Sequence, residues 1–316
     1  MLIAIALIVC GLVLLYFGGT ALVKGAAALA TSAGLTPLVV GLTVVAYGTS
    51  MPELVVSVAA AMKGNSALAI GNVVGSNICN IGVVLGVAAL CRPLEVKLPT
   101  VRVHAPLMVI AAVAVTFFLA DGDLSRVEAT VLFLSLILYS ALSLIQARRE
   151  GTAELEEEFT RVSPRSGMRA VLRDLGVVLT GLVLLVGGGH VMVQGAVSLA
   201  QQLGVSEAVI GLTVVAFGTS VPDLTASVVA AWHRHGDIAI GNVIGSVMFN
   251  LLNVLGVTGL VRPLDATGMD RIDYWVMLGM LALTIPLLRT GMRVQRWEGG
   301  LCFAAYCLYV CWRWGA

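Results

Sequence analysis

GLTVVAYGTSMPELVVSVAA, Gly41 to Ala60, sets a proline and a glutamate in the middle of a long apolar run, and GLTVVAFGTSVPDLTASVVA, Gly211 to Ala230, does so again. Fourteen of the twenty positions are identical at an offset of 170. The same offset aligns AIGNVVGSNICNIGVVLGVAAL, from Ala69, with AIGNVIGSVMFNLLNVLGVTGL, from Ala239, where thirteen of twenty-two positions match. Apolar composition alone does not produce such agreement across an ungapped interval, so the chain is an internal duplication.

Working outward from these blocks, the surroundings are those of a membrane. Of 316 residues, 59% are hydrophobic and 12% charged, against roughly 25% charged in soluble domains; the mean hydropathy is +0.98. Apolar runs of about 20 residues are long enough to cross roughly 30 Å of hydrocarbon as helices. Reading turns and charge clusters as breaks predicts ten spans, near 2–30, 36–62, 66–90, 103–121, 125–147, 171–203, 206–232, 237–261, 272–289 and 298–315. The expected fold is therefore an all-α membrane protein. A net charge of +1 argues against a nucleic-acid partner, which needs a basic surface. The first span lacks a cationic leader and is too long for a signal peptide, so it reads as retained.

Five spans per copy is an odd number, so the second copy enters the membrane from the side opposite to the first, giving two inverted five-helix repeats. Residues 1–147 form the first, with motif block 41–90, and 171–316 the second, with block 211–260; 148–170 is the linker. The hydrophilic stretch Arg148 to Arg173 carries Glu154, Glu156, Glu157 and Glu158 among six arginines and reads as solvated. With both termini outside, fourteen of the nineteen lysines and arginines fall on inner loops, which the positive-inside rule favours. The expectation is a multi-pass protein of the cell (cytoplasmic) membrane with a cytoplasmic linker.

A carboxylate near the bilayer centre costs at least about 2.5 kcal/mol, so intramembrane acids face internal cavities and carry function. Glu53 and Asp223 each follow a proline, and a proline inside a helix removes one hydrogen bond and displaces the carbonyl four residues earlier. Gly48 and Gly218 are expected to lose their partners, with the Ala46, Thr49, Ala216 and Thr219 carbonyls as further candidates to open. Thr49 and Glu53 are four residues apart and share a face, as do Ser76 and Asn80, Thr219 and Asp223, and Ser246 and Asn250. Ser50 and Ser220 add a hydroxyl beside each break. The set is all oxygen and amide, without imidazole or thiolate, and suits a hard cation such as Ca²⁺, with Na⁺ accepting similar neighbours. Two carboxylates balance one Ca²⁺ or two monovalent ions, which outlines an exchange mechanism.

The paired GTS(M/V)P(E/D)L and GNxxGSxxxN segments resemble the alpha repeats of the sodium/calcium exchanger family, within the cation/calcium exchanger superfamily. The resemblance implies a ten-helix antiporter of prokaryotic type whose site is built from spans two, three, seven and eight, with sliding of spans one and six. Glu53 and Asp223 then match the central Ca²⁺ carboxylates, assisted by the Thr49 and Thr219 carbonyls. Ser50, Ser76, Thr49 and the Ala46 carbonyl resemble one flanking Na⁺ site; Ser220, Ser246, Thr219 and the Ala216 carbonyl resemble the other. Asn80 and Asn250 match the middle of the site. Some relatives carry aspartate at the position of Asn250 and glutamate at that of Asp223. Val247 stands where the first copy has Asn77, which is therefore left out of the ligand set.

Other polar residues read more plainly. Asn72 and Asn242 are expected to cap helices or bridge spans. Gly71, Gly75, Gly241 and Gly245 are expected to permit close helix approach, and the cysteines to pack as small apolar groups. His104, His190, His233 and His235 are too scattered for a catalytic or metal set and are expected at solvent or an interface. Asp121, Asp123 and Glu207 lie near span ends and at most attract cations. No cofactor, enzymatic activity or obligate protein partner is called for. The function expected is secondary antiport of Na⁺ for Ca²⁺, extruding Ca²⁺ by alternating access. H⁺/Ca²⁺ antiport on the same fold is the nearest alternative, disfavoured because a proton needs no cage of four serines. A cation channel is more distant, and a hydrolase lacks a His or Lys base beside either motif.

Overall fold

The computed structural model describes residues 1–33, 35–98, 100–158, 168–202 and 216–315. Gly211–Val215 of the second motif, Glu207, the opening of the span expected at 206–232 and linker residues 159–167 lie outside the described residues. The helices are α1 (Leu2–Ala33), α2 (Pro37–Val40), α3 (Ala46–Thr49), α4 (Met51–Met62), α5 (Ser66–Cys79), α6 (Gly86–Cys91), α7 (Ala105–Phe118), α8 (Arg126–Glu158) and α9 (Met168–Gln202). They continue with α10 (Ala216–Thr219), α11 (Val221–Trp232), α12 (Gly236–Met248), α13 (Leu255–Val261), α14 (Arg271–Arg289) and α15 (Arg296–Gly315). Wider π turns join α2 to α3 (Gly41–Val45), α5 to α6 (Asn80–Leu85) and α12 to α13 (Phe249–Val254).

Seven helical segments among the described residues are long and apolar enough to cross a membrane, and the bent pair Pro37–Thr49 with Met51–Met62 makes an eighth. That is two short of the ten spans expected. One of the missing two begins in the undescribed stretch before Ala216; the other, α15, is a continuous helix whose apolar character is diluted by Arg296, Glu298 and Arg313. The acidic run does not interrupt α8, which continues to Glu158.

Helix starts follow from local chemistry. The Asn65 side chain accepts the Leu68 N–H at 3.0 Å and Asp270 accepts the Ile272 N–H at 3.0 Å, each satisfying a donor that the first helical turn leaves open. At α8, Ser125 and Glu128 form a reciprocal capping box, with Glu128 accepting the Ser125 N–H at 2.8 Å and Ser125 Oγ accepting the Glu128 N–H at 3.3 Å.

The direction of the two halves is read from α1 against α9. A methyl carbon placed on Gly11, Gly18 or Gly25 would lie 2.6, 2.8 or 2.9 Å from the backbone nitrogen of Met192, Leu185 or Val178 respectively. One partner ascends by seven as the other descends by seven, so the helices run antiparallel with backbones nearly touching. Gly181, Gly188 and Gly195 occupy the equivalent places on α9. Lipid offers no hydrophobic drive for helix association, and small residues that let backbones approach replace it. At one end, the Ser32 hydroxyl donates to Asp174 Oδ2 at 2.6 Å.

Two short antiparallel ribbons stitch the halves together at opposite ends. β1 (Leu94–Glu95) pairs with β4 (Arg293–Val294), and β2 (Asp123–Leu124) with β3 (Leu264–Asp265). Lys97 pairs with Asp237 at 3.3 Å near the first ribbon. At the second, Asp123 lies opposite Asp265; the Thr267 hydroxyl and N–H bind the Asp265 carboxyl and hold it below the usual carboxylate range. Exposed tryptophans mark both ends, Trp232 and Trp297 at the first and Trp275 and Trp312 at the second, as expected of rings seated at a membrane surface.

α15 is fastened to α14 at the second end, where Tyr309 donates to Asp273 Oδ1 at 2.8 Å and Arg313 reaches Asp273 Oδ2 at 3.1 Å. Asp273 is buried. Removing the hydroxyl in Tyr309→Phe leaves one oxygen of a buried acid unbonded, and is expected to cost about 1.5 kcal/mol, the low end for a bond to a charged group. Thermal unfolding in detergent beside the parent checks this; an unchanged midpoint would show that Arg313 alone satisfies Asp273.

Burial ranks the spans. Ser66–Cys91 is 83% buried and Gly236–Val261 fully buried within their apolar windows, whereas Arg126–Ile145 is 22% and Leu2–Ser32 28% buried. The central pair carries Ser76, Asn80, Ser246 and Asn250, because polar side chains at membrane depth are tolerated only toward the protein interior.

Candidate functional site

Each motif breaks its helix at the serine before the proline. Ser50 adopts φ −91°, ψ 6° and Ser220 φ −87°, ψ 0°, outside helical geometry at the same point of both copies. The axis bends by 43° across the first break. Pro52 and Pro222 then stand in the first turn of α4 and α11, where a proline's missing N–H costs nothing because first-turn donors have no helical acceptor. Glu53 and Asp223 also lie in those first turns, where the positive end of the helix dipole favours a negative charge.

Both acids are 0% exposed; the hydroxyl that meets Glu53 comes from the other half, and the side chains that meet Asp223 come from its own. Ser220 Oγ donates to Glu53 Oε1 at 3.3 Å. Within the second half, Ser246 Oγ donates to Asp223 Oδ1 at 2.8 Å. Thr49, which shares a face with Glu53 in the sequence, instead reaches across the interface of the halves to Asn242. The Thr49 hydroxyl has one proton for three oxygens, Val45 O at 2.9 Å, Ala46 O at 3.3 Å and Asn242 Oδ1 at 3.1 Å.

Among the described residues, twelve buried side-chain polar atoms lack a hydrogen-bond partner, and seven of them meet here: Ser50 Oγ, Glu53 Oε2, Asp223 Oδ2 and both polar atoms of Asn80 and of Asn250. Each such atom costs about 1–3 kcal/mol, and interiors normally avoid them. Their concentration around two acids is the pattern of an oxygen-rich cation site.

Of the residues singled out in the sequence, Glu53, Asp223, Thr49, Thr219, Ser50, Ser220, Ser76, Ser246, Asn80 and Asn250 are all buried. Asn80 and Asn250 fall at the π turns, Asn80 first in one and Asn250 second in the other; such turns widen a helix and recur at functional positions. The Ala46 carbonyl is engaged, accepting the Ser50 N–H at 3.1 Å as well as the Thr49 hydroxyl. Ala216 is the first described residue of α10. Asn77 turns toward α14, its amide 3.8 Å from the Met277 sulfur.

Asn72 and Asn242 do bridge spans. Asn72 Nδ2 donates to the Glu53 carbonyl at 3.2 Å and to Ser57 Oγ at 3.0 Å. Asn242 Nδ2 donates to the Asp223 carbonyl at 3.3 Å and to Ser227 Oγ at 3.0 Å, and lies 3.4 Å from Asp223 Oδ1. Ser57 and Ser227 escaped the sequence reading, although both recur at the offset of 170. Gly241 and Gly245 make the close approach expected, while Gly71 faces only the Met269 side chain at 3.7 Å.

Two expectations are corrected. His104 is not at solvent or an interface: it is 2% exposed, with Nδ1 3.1 Å from Tyr139 OH, and the phenol supplies the partner that lets an imidazole be buried. Cys10, Cys91 and Cys311 are exposed rather than packed; Cys79 and Cys302 are buried.

Comparison with known proteins gives the family. The sequence profile of the family described as sodium/calcium exchanger protein matches residues 3–145 and 174–315. The chain belongs to the sodium/calcium exchanger family. The profile leaves out only the acidic connection and the extreme ends. The inner membrane protein YrbG of Escherichia coli (strain K12) is 38% identical over 91% of this chain and 89% of its own length. Sodium/calcium exchanger MaX1 of Methanosarcina acetivorans is 32% identical over 95% of each chain. The solved structure of the sodium-calcium exchanger NCX_Mj superposes with a TM-score of 0.86 at 29% identity, covering 98% of both chains.

Proposed function

We propose that this chain is a secondary antiporter that exchanges Na⁺ for Ca²⁺ by alternating access and extrudes Ca²⁺ from the cytoplasm. The carrying observation is the cluster of seven unpartnered buried polar atoms around Glu53 and Asp223, drawn from both halves. In this reading Glu53 and Asp223 hold Ca²⁺ between them with the Thr49 and Thr219 carbonyls. Ser50, Ser76, Thr49 and Ala46 on one side, and Ser220, Ser246, Thr219 and Ala216 on the other, receive Na⁺, and Asn80 and Asn250 complete the middle. Either one doubly charged ion or singly charged competitors neutralise the acids, so occupancy by one excludes the other and couples their gradients.

The architecture proposed is ten helices as two inverted five-helix repeats, 1–147 and 171–316 joined by the linker 148–170. Antiparallel α1 and α9 support the inversion, as does the placement of the two ribbons at opposite ends. The end bearing the β1–β4 ribbon, Lys97, Arg293 and Arg296 faces the cytoplasm in this proposal, and both termini lie outside the cell membrane.

The test is Ca²⁺ uptake into vesicles containing the purified protein, driven by an outward Na⁺ gradient, with and without a protonophore. Uptake is expected to follow the Na⁺ gradient and to be unchanged by the protonophore. Uptake that follows a pH gradient alone would transfer the assignment to H⁺/Ca²⁺ exchange.

A further inference from the structure

We infer that Asn72 and Asn242 are positioning residues that set the register between each acid and the ligand-bearing face of the neighbouring helix. The inference rests on the antiport reading and extends it to residues outside the ion-binding set. A primary amide has two N–H protons, and both asparagines place them alike: one on the backbone carbonyl of the acid, at 3.2 and 3.3 Å, the other on a serine hydroxyl, at 3.0 Å in both halves. In the first half Ser57 Oγ in turn donates to the Ala69 carbonyl at 3.3 Å, closing a chain of bonds from α4 through Asn72 back to α5.

Asn72, Ser76 and Asn80 are spaced i, i+4, i+8 along α5 and into the π turn that continues it; Asn242, Ser246 and Asn250 do the same along α12 and its π turn. Tying the carbonyl of the acid to the first member of that row fixes its height relative to the other two. Asn242 also reaches across the halves, accepting from Thr49 and lying beside the Asp223 carboxylate. It is 0% exposed, so loss of its side chain leaves the Asp223 carbonyl and Ser227 without that donor.

The experiment compares Asn72→Ala, Asn242→Ala, Ser57→Ala and Ser227→Ala with the parent in two measurements: Ca²⁺ half-saturation of vesicle flux, and melting of the detergent-solubilised protein with and without Ca²⁺. Each asparagine variant is expected to raise half-saturation at least tenfold and to lose most of the Ca²⁺-induced rise in melting temperature. Each serine variant should shift half-saturation two- to fivefold, and Asn72→Ala with Ser57→Ala should be no worse than Asn72→Ala, since the serine acts through the asparagine. A lower melting temperature without Ca²⁺ combined with half-saturation within twofold of the parent would reduce these residues to structural braces and overturn the inference. If the asparagine variants do not fold, the serine variants decide it, and an unchanged half-saturation in both overturns it. A parent without saturable Ca²⁺ flux would overturn the antiport reading, and this inference with it.

Discussion

Vesicles carrying Glu53→Gln or Asp223→Asn are expected to lose Ca²⁺ exchange by roughly 30-fold to several thousand-fold. Removing one charge from a buried charge pairing costs about 2–5 kcal/mol, and each 1.36 kcal/mol is tenfold in rate. Neither substitution changes side-chain length appreciably, so the loss reports charge rather than packing. Each acid keeps one oxygen bonded by serine, Glu53 Oε1 by Ser220 and Asp223 Oδ1 by Ser246, while Oε2 and Oδ2 have no partner among the described residues. An amide in their place cannot offer two anionic oxygens to a cation. The same variants should melt at a higher temperature than the parent when Na⁺ and Ca²⁺ are absent, because a neutral amide is less costly to bury than an unpaired carboxylate. Stability held for function is commonly traded in this way. Isotope flux and ion-free melting measured together make the prediction two-sided; full exchange in both variants would remove these acids from the ion path.

The second large effect is expected at Gly245. A methyl carbon there would lie 2.5 Å from the Leu42 carbonyl oxygen and 2.6 Å from the Ala46 Cβ, closer than real side chains come to backbone. Gly241, one turn earlier, meets Gly41 in the same way, at 3.1 Å from its Cα. Here α12 and the π turn at Gly41–Val45 touch through backbone, directly beside Asn242, Ser246 and Thr49. Overpacking by a single methyl costs about 1–3 kcal/mol, and Gly245→Val adds two more carbons at the same place. Gly245→Ala should therefore lower the melting temperature and reduce Ca²⁺ flux at least tenfold, since separating α12 from Thr49 opens the 3.1 Å bond between Thr49 and Asn242. Gly245→Val should fail to accumulate as folded protein. Size-exclusion profiles and flux on the alanine variant check both; parent-like behaviour would mean that the helices part without disturbing the site.

The motifs were legible because their chemistry is local and repeated. A proline followed by an acid in an apolar run needs no tertiary information to look costly, and its recurrence at the offset of 170 marked Glu53 and Asp223 together. The pairing of Ser76 with Asn80 was equally readable, since the two are four residues apart. Asn72 and Asn242 read as caps or bridges, but the atoms they join are not legible, because an acceptor fifteen or nineteen residues away depends on how two helices pack. The glycine rows at 11, 18 and 25 and at 181, 188 and 195 follow a regular spacing that could have been found, and their meaning as a backbone contact appears only once α1 lies against α9.

Periodicity, charge and duplication in the chain determined that it is a helical membrane protein with two related halves and an acid at the heart of each, because the cost of a buried charge and of a broken helix is incurred locally. Which hydroxyl meets which carboxylate was decided only by the tertiary structure. Thr49 and Glu53 share a helical face, yet the bend at Ser50 and the docking of α12 send Thr49 to Asn242, and Ser220 crosses to Glu53. Contacts between halves are set by helix axes and bends, which a linear pattern does not encode.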